Sequence, residues 1–237
     1  MPQGLGFNGV MGGEGSNDCF TNLLCHFNGT SGQTMLLDSS RNGIALTAVG
    51  TAAISTTQSE FGGSALHVVA TGGNYASIAS TAALPLGSGP FTVECWVYID
   101  EASLSGNQTI LSNLTSTSTT NAWSVYVPAL GGIRIATTGG NVVVTGNAVV
   151  LVKTWTHIAW VRDASNVNYI FAAGVQQATA SNSNNYNLVG TAYIGHDATG
   201  GASAIGDITG YLNEVRLSNV ARWTANFTAP VRSYTPF

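Results

Sequence analysis

The residues able to do chemistry are few and poorly spaced for it. Cleaving a glycosidic bond takes two carboxyl groups flanking the scissile bond. On one strand, both must fall on the same face, two positions apart. Glu14, Glu60, Glu94, Glu101 and Glu214 are well separated, and no two acidic residues stand at that spacing. The adjacent Asp100-Glu101 would point to opposite faces if extended, and reads as a turn. Nucleophilic hydrolysis has no Gly-x-Ser-x-Gly elbow to work from. His26, His67 and His157 sit within apolar runs and read as packed, hydrogen-bonded side chains. His196-Asp197 follows a strand end, so it belongs to a loop, and no further metal ligands lie near it in sequence. Gly4-Leu5-Gly6-Phe7-Asn8-Gly9 matches a dinucleotide-binding pattern only in letters, because no strand precedes it and no helix follows. No catalytic, cofactor-binding or metal-binding residue is assigned, and the chain is expected not to be an enzyme.

The tryptophans offer a different chemistry, a flat apolar face for a ligand. Trp96, Trp155 and Trp160 lie in apolar strand patterns and read as core or sheet-interface residues. Trp223 belongs to a closing tail and should pack there. Trp123 follows the polar stretch Ser116–Asn121 and is the expected exposed contact for a glycan.

Composition limits the partners. Only 8% of the 237 residues are charged and the net charge is −4, whereas about 25% charged is usual for soluble domains. Seven Lys and Arg spread along the chain cannot form a phosphate-neutralising stripe, so nucleic acid is not an expected partner. An anionic membrane is disfavoured for the same reason. A surface so poor in charge has little electrostatic defence against association, which suits a subunit of an assembly and a homo-oligomer. No basic leader followed by a long apolar run is present, so neither a signal peptide nor a membrane-spanning helix is expected. Synthesis in a reducing cytoplasm follows, with Cys19, Cys25 and Cys95 unpaired.

These residues must be positioned by many short strands. Gly, Ser, Thr and Asn punctuate apolar runs throughout, and no segment sustains a helical period. The clearest strand is Phe91–Ile99, where Phe91, Val93, Cys95, Val97 and Ile99 share one face. Further strands are predicted at 23–27, 44–49, 65–69, 75–78, 109–112, 123–127, 133–137, 141–145, 156–162, 169–172, 192–195 and 210–218, with a hairpin turn at Asp163–Asn166. This pattern predicts an all-β sandwich over residues 23–237. Residues 1–22 differ: Gly alternates with isolated apolar residues, without strand or helix period. They read as an extended N-terminal arm that either packs back on its own domain or, the preferred reading, docks on a neighbouring subunit through Leu5, Phe7, Val10 and Met11.

Five blocks then fall in a recognisable order: Phe61-Gly62-Gly63-Ser64-Ala65-Leu66, Phe91-Thr92-Val93-Glu94-Cys95-Trp96-Val97-Tyr98, Trp155-Thr156-His157-Ile158-Ala159-Trp160-Val161-Arg162, Tyr193-Ile194-Gly195 and Leu212-Asn213-Glu214-Val215-Arg216-Leu217. In this order they resemble laminin-G-like, concanavalin A-like lectin-type sandwich domains. The segment Val220-Ala221-Arg222-Trp223-Thr224-Ala225-Asn226-Phe227-Thr228 resembles the versions found in bacteriophage virion proteins. The resemblance implies a two-sheet antiparallel, jelly-roll-like sandwich, and ligand binding far more often than catalysis. Such domains often carry acidic residues before the Tyr matched by Tyr75, and Asp-Glu-Val where this chain has Asn213-Glu214-Val215. Gly73-Asn74 and Asn213 remove carboxylates that calcium favours. No cofactor is therefore expected, and calcium is the one ion the resemblance leaves open.

The expected function is that of a virion structural protein. It would decorate the particle surface after assembly in the host cytoplasm and dock through its arm on other virion proteins, the major capsid protein or tail proteins. Glycan-binding capacity is compatible with that role. The alternative is a carbohydrate-binding adhesin on a tail appendage. With no heptads or collagen-like repeats for a shaft, decoration is preferred.

Overall fold

The computed structural model describes residues 19–70, 73–79, 86–104, 106–114, 121–137, 140–187, 190–198 and 206–235. The N-terminal arm proper, with Leu5, Phe7, Val10 and Met11, lies outside the described residues. So does the polar loop before Trp123, at 115–120.

Among the described residues the chain is built from strands alone: β1 (Thr21–Cys25), β2 (Leu46–Val49), β3 (Ala53–Ser55), β4 (Ala65–Val68), β5 (Tyr75–Ile78), β6 (Phe91–Ile99), β7 (Gln108–Ser112), β8 (Ser124–Val127), β9 (Arg134–Thr137), β10 (Gly140–Val144), β11 (Thr156–Arg162), β12 (Val167–Ala172), β13 (Val175–Ser181), β14 (Ala192–Ile194) and β15 (Gly210–Ser218). They form two antiparallel sheets. One runs β13-β12-β11-β6-β15-β4-β3, with β1 added beside β15. The other runs β10-β9-β8-β7-β14-β5-β2. No helix among the described residues is long and apolar enough to cross a membrane.

The core follows from alternation. Val93 and Cys95 of β6, with Ile158 and Trp160 of β11, point inward from the first sheet. They meet Leu111, Val125, Ile133 and Ile135 of the second. Arg162 stays charged within this apolar setting because its guanidinium donates to the carbonyls of Gly87, Gly89 and Asn184. Burial and these neutral acceptors make it a staple for two loops rather than a binding cation.

Two strands went unpredicted. β13 carries Val-Gln-Gln-Ala-Thr-Ala-Ser at a sheet edge and is mostly exposed, so no apolar alternation marks it. β3 is only three residues long. The turn into β13 places Ala173 at φ 48° and Gly174 at φ 79°, the left-handed pair that a tight hairpin demands. Gly174 is needed for a second reason: a Cβ there would sit 2.0 Å from the carbonyl oxygen of Phe227.

That contact belongs to the segment after β15. Residues 219–235 fold back across the outer face of the first sheet. Trp223 and Phe227 stack at 3.8 Å and pack with Ala159, Val161 and Phe171. Thr92 and Gly174 fix the backbone through Thr92 Oγ1 to Val220 O at 2.8 Å and Phe227 N to Gly174 O at 2.9 Å. The aromatic side chains of the family-like tail are thus a lid on a sheet face.

Candidate functional site

The outer face of the first sheet carries most of the buried charge. Odd positions of β6 face the core, so Thr92, Glu94 and Trp96 face outward, Thr92 and Glu94 beneath the tail. Glu94 is fully buried. It accepts from Arg216 Nε at 2.8 Å, from His157 Nε2 at 3.1 Å and from the Tyr234 hydroxyl. The Arg216 guanidinium lies over the Tyr234 ring at 3.6 Å. Burial alone would raise the Glu94 carboxyl, but Arg216, then His157 and Arg222, outweigh it and hold the group well below the usual carboxylate range. The same burial, reinforced by Glu94, pushes the Tyr234 phenol up. Glu214 stands nearby in a bulge of β15 at φ 52°. It accepts from His26 Nδ1 at 2.9 Å and from the Tyr234 backbone N at 3.0 Å. Both carboxylates of this face are therefore saturated and closed off by Tyr234.

The outer face of the second sheet is different. Ala76 and Ile78 of β5 and Ala192 and Ile194 of β14 point into the core, so Tyr75, Ser77 and Tyr193 point out. After β14 the chain turns sharply at Gly195, φ 84°. The turn swings His196 back over Tyr75, with ring centroids 4.2 Å apart and planes 10° apart. Tyr193 meets the pair edge-on, 5.5 Å from Tyr75 and 5.4 Å from His196. Asp207 Oδ1 accepts from His196 Nδ1 at 2.8 Å and from the Asp197 backbone N at 3.1 Å. The imidazole is thereby fixed in orientation while its side chain stays 19% exposed. Burial, then Tyr75, raises the Tyr193 phenol, so it remains a neutral donor and acceptor near pH 7. Half-buried rings set beside an imidazole and a carboxylate can stack on the C–H edge of a sugar and bond its hydroxyls.

Trp123 is not the exposed contact that its polar flank suggested. It is 2% exposed and packs against Trp160 at 5.7 Å. The reason is parity: Trp123, Val125 and Val127 share the inward face of β8, and its backbone is clamped to Asn113 at 2.7 and 3.0 Å. Trp160 is core, as expected, and Trp96 lies under Phe61 on the outer face at 5.7 Å. His26 and His157 are buried and hydrogen-bonded, and His67 stacks on Tyr211 at 4.5 Å. Cys25 and Cys95 are buried thiols, raised by burial and then by Asp38 and Glu94 respectively.

No group of three His, Cys, Asp or Glu able to hold a metal occurs among the described residues. The two asparagines standing where the resemblance would put carboxylates are occupied by backbone. Asn213 Oδ1 accepts from Phe61 N and its amide donates to His26 O and Ser64 O. Asn74 Oδ1 accepts from Thr51 N and its amide donates to Val69 O. An amide serves both neighbours at once, a donor–acceptor role that a carboxylate cannot fill.

The sequence missed Tyr75, Tyr193 and Asp207 as partners of His196. Only the strand parity of Tyr75 and Tyr193 hinted at a shared outer face.

Two antiparallel sheets packed face to face on one apolar core make this a β-sandwich. The chain belongs to the laminin-G-type family of the concanavalin A-like lectin/glucanases superfamily, whose model matches residues 70–226. No curated protein sequence matches it. Among solved structures it is similar to the binding domain of paraclostridial mosquitocidal protein 1, with TM-score 0.64 and 11% identity over 85% of this chain and 49% of that one. It is similar also to the binding domain of botulinum neurotoxin DC in complex with SialylT, with TM-score 0.64 and 10% identity over 87% and 49%. The same toxin domain in complex with rat synaptotagmin II gives the same values. The chain spans about half the length of these structures, 49% in each case, and the likeness is one of fold.

Proposed function

We propose that this chain is a non-catalytic carbohydrate-recognition domain. The observation that carries the reading is the Tyr75–Tyr193–His196–Asp207 constellation on the outer face of the second sheet. Aromatic rings, a fixed imidazole and a carboxylate are the groups a neutral glycan needs. A structural neighbour in complex with SialylT supports glycans as the ligand class. The first sheet supports a non-hydrolytic role: Glu94 is held ionised by Arg216 and, like Glu214, lies under the tail, where neither is placed to act as a general acid to a sugar. The full chain should bind members of a glycan array and release no reducing sugar from them. Tyr75→Ala with Tyr193→Ala should abolish binding with the melting temperature little changed. Failure to retain any glycan at millimolar concentration would sink the reading.

A second reading sets the same domain on the surface of a virion, as a decoration protein or as an adhesin of a tail appendage. Among the described residues, seven large apolar side chains are exposed on this weakly charged surface: Met35, Leu37, Leu130, Val144, Leu151, Val175 and Val231. A surface with so few charges has little electrostatic defence against self-association or attachment to other virion proteins. The phage-like tail signature and the apolar residues Leu5, Phe7, Val10 and Met11 point the same way. Copurification with phage particles at a fixed copy number, lost on deleting residues 1–17, tests it.

A further inference from the structure

One flank of the sandwich is left open by the strand order. β13 ends the first sheet, with β12 on one side and, among the described residues, no strand on the other. The direction of its backbone groups follows from the residues just beyond it. Asn182 N donates to Asn166 O at 2.9 Å, which makes residues 166 and 182 a hydrogen-bonded pair. Such pairs alternate with non-bonded ones along an antiparallel ladder. The register then sets Asn168 with Ala180 and Ile170 with Ala178 in bonded pairs, and Val167 with Ser181 and Tyr169 with Thr179 in non-bonded ones. The backbone N–H and C=O groups of Thr179 and Ser181 therefore point away from β12, into the open edge. Both residues are exposed, and no described residue pairs with these groups. Nearer the turn, Gln176 N is already taken by Asn226 Oδ1 at 2.8 Å.

An unpaired edge invites another strand, and proteins block such edges with short strands, Lys, Pro, bulges or covering loops. The other edges of this molecule follow that rule. The open side of β3 is covered by a loop, through Gly32 N to Ile54 O at 2.9 Å and Ile54 N to Gln33 O at 2.8 Å. β2 is only four residues long. β10 is bulged between Asn141 and Val143. In β13 the bulge lies at one end, beside Ile170 and Phe171, and residues 178–181 continue in regular register. Residues 164–196 include no Pro, Asp, Glu, Lys or Arg.

We infer that β13 is a self-association edge: two copies of this chain pair β13 to β13, antiparallel, about a two-fold axis. Three features select a second copy as the occupant. First, a two-fold contact requires a surface complementary to itself. Thr179 of one copy set opposite Ser181 of the other, and the reverse, places Ala180 on the axis. Each Thr179–Ser181 pair then exchanges two backbone hydrogen bonds, and the two hydroxyls, each both donor and acceptor, stand side by side on one face. Second, Ala180 opposes its own copy in the non-bonded pair, where the strands approach most closely, and a methyl group fits there without obstruction. Third, the edge opposes no like charges. Residues 135–152 are also without Asp, Glu, Lys and Arg, and they include β10, which contacts β13 from the second sheet. Val144 and Val175 add exposed apolar surface on these two strands. An acidic or basic partner finds no counter-charge on them.

Sedimentation equilibrium of the full chain, carried to millimolar concentration, should show a monomer–dimer equilibrium. Thr179→Pro deletes a donor that the monomer leaves unused, at an edge position where Pro is tolerated. It should weaken dimerisation by about tenfold or more and leave the monomer's melting temperature unchanged. Ser181→Lys, at an exposed position, should act in the same direction. Cys19 is an exposed thiol, so cross-linking is tested in a Cys19→Ser background. There Ala180→Cys should give a covalent dimer on mild oxidation, since opposed non-bonded residues have Cα atoms about 4.5 Å apart, within the span of a disulfide, about 4.4–6.8 Å. The Thr179 and Ser181 amides should exchange with solvent more slowly as the dimer forms. A chain that stays monomeric throughout, or a dimer that survives both edge substitutions and does not cross-link at position 180, overturns the inference. If the two amides are protected in a monomer and deleting residues 1–18 exposes them, the edge holds the chain's own N-terminal segment and the inference fails.

Discussion

The two outer faces of this sandwich handle polar chemistry in opposite ways. On the first sheet, Glu94, Arg216, His157 and Tyr234 are buried beneath residues 219–235 and satisfy one another. On the second, His196 and Asp207 pair in the same manner but remain nearly a fifth exposed among half-buried tyrosines. A carboxylate–imidazole contact therefore says little by itself about function in this protein. What separates a structural cluster from a recognition surface is whether the chain has already supplied the group that a ligand would supply. Tyr234 does so on the first sheet. No described residue does so over Tyr75 and His196.

The largest effect that could break this contrast is expected at Glu94. Glu94→Gln removes the charge facing Arg216 while leaving both buried, and breaking a buried ion pair from one side costs about 3–5 kcal/mol. Urea unfolding at pH 7 measures it. The sign of the pH dependence follows from the depressed carboxyl. The native state binds the proton less readily than the unfolded chain, whose Glu titrates near about 4.3. The stabilisation is thus complete above that value and fades as pH falls towards the native value. The gap between wild type and Glu94→Gln should narrow steadily from pH 5 to pH 3 (about one to two units around the unfolded value). A gap that stays constant would show that the network is not electrostatic in origin.

Tyr234→Phe is a milder probe of the same lid. It keeps the ring against Arg216 and deletes only the hydroxyl that donates to Glu94, for a loss of about 1–3 kcal/mol. The smallest stability effect belongs to the open face. Tyr193→Ala should cost less than about 1 kcal/mol, since the ring is only half-buried and its strand neighbours supply the core. It should nevertheless weaken glycan binding by about tenfold or more. If Tyr193→Ala unfolds the protein and Tyr234→Phe does not, the roles of the two faces are reversed.

Much of the architecture was legible because alternation speaks directly to burial. Phe91–Ile99 and Thr156–Arg162 were predicted with their observed limits, and Gly210–Ser218 likewise. The edge strand Val175–Ser181 escaped because an exposed strand has no face to mark. The buried charges escaped for a different reason. Glu94, His157, Arg216 and Tyr234 come from four distant segments, and charged residues in a strand look like a solvated face until the tail is placed over them. Trp123 was misjudged by its polar neighbours when its parity with Val125 and Val127 was the stronger signal. The recognition surface was the least legible part, since Gly195 folds His196 onto a tyrosine over a hundred positions earlier.

The central position of β15 has a consequence for how the molecule comes into being. The last strand among the described residues lies between β6 on one side and β4 and β1 on the other, with β1 and β4 sharing its length across the bulge at Glu214. The first sheet cannot close around its middle until residues 210–218 are available. On the ribosome the earlier strands must wait, their apolar faces unpaired, until residues 210–218 have emerged. Long-range pairing of this kind slows folding and prolongs exposure to aggregation. The same strand order that gives the mature sandwich its sealed face makes its nascent chain dependent on shelter.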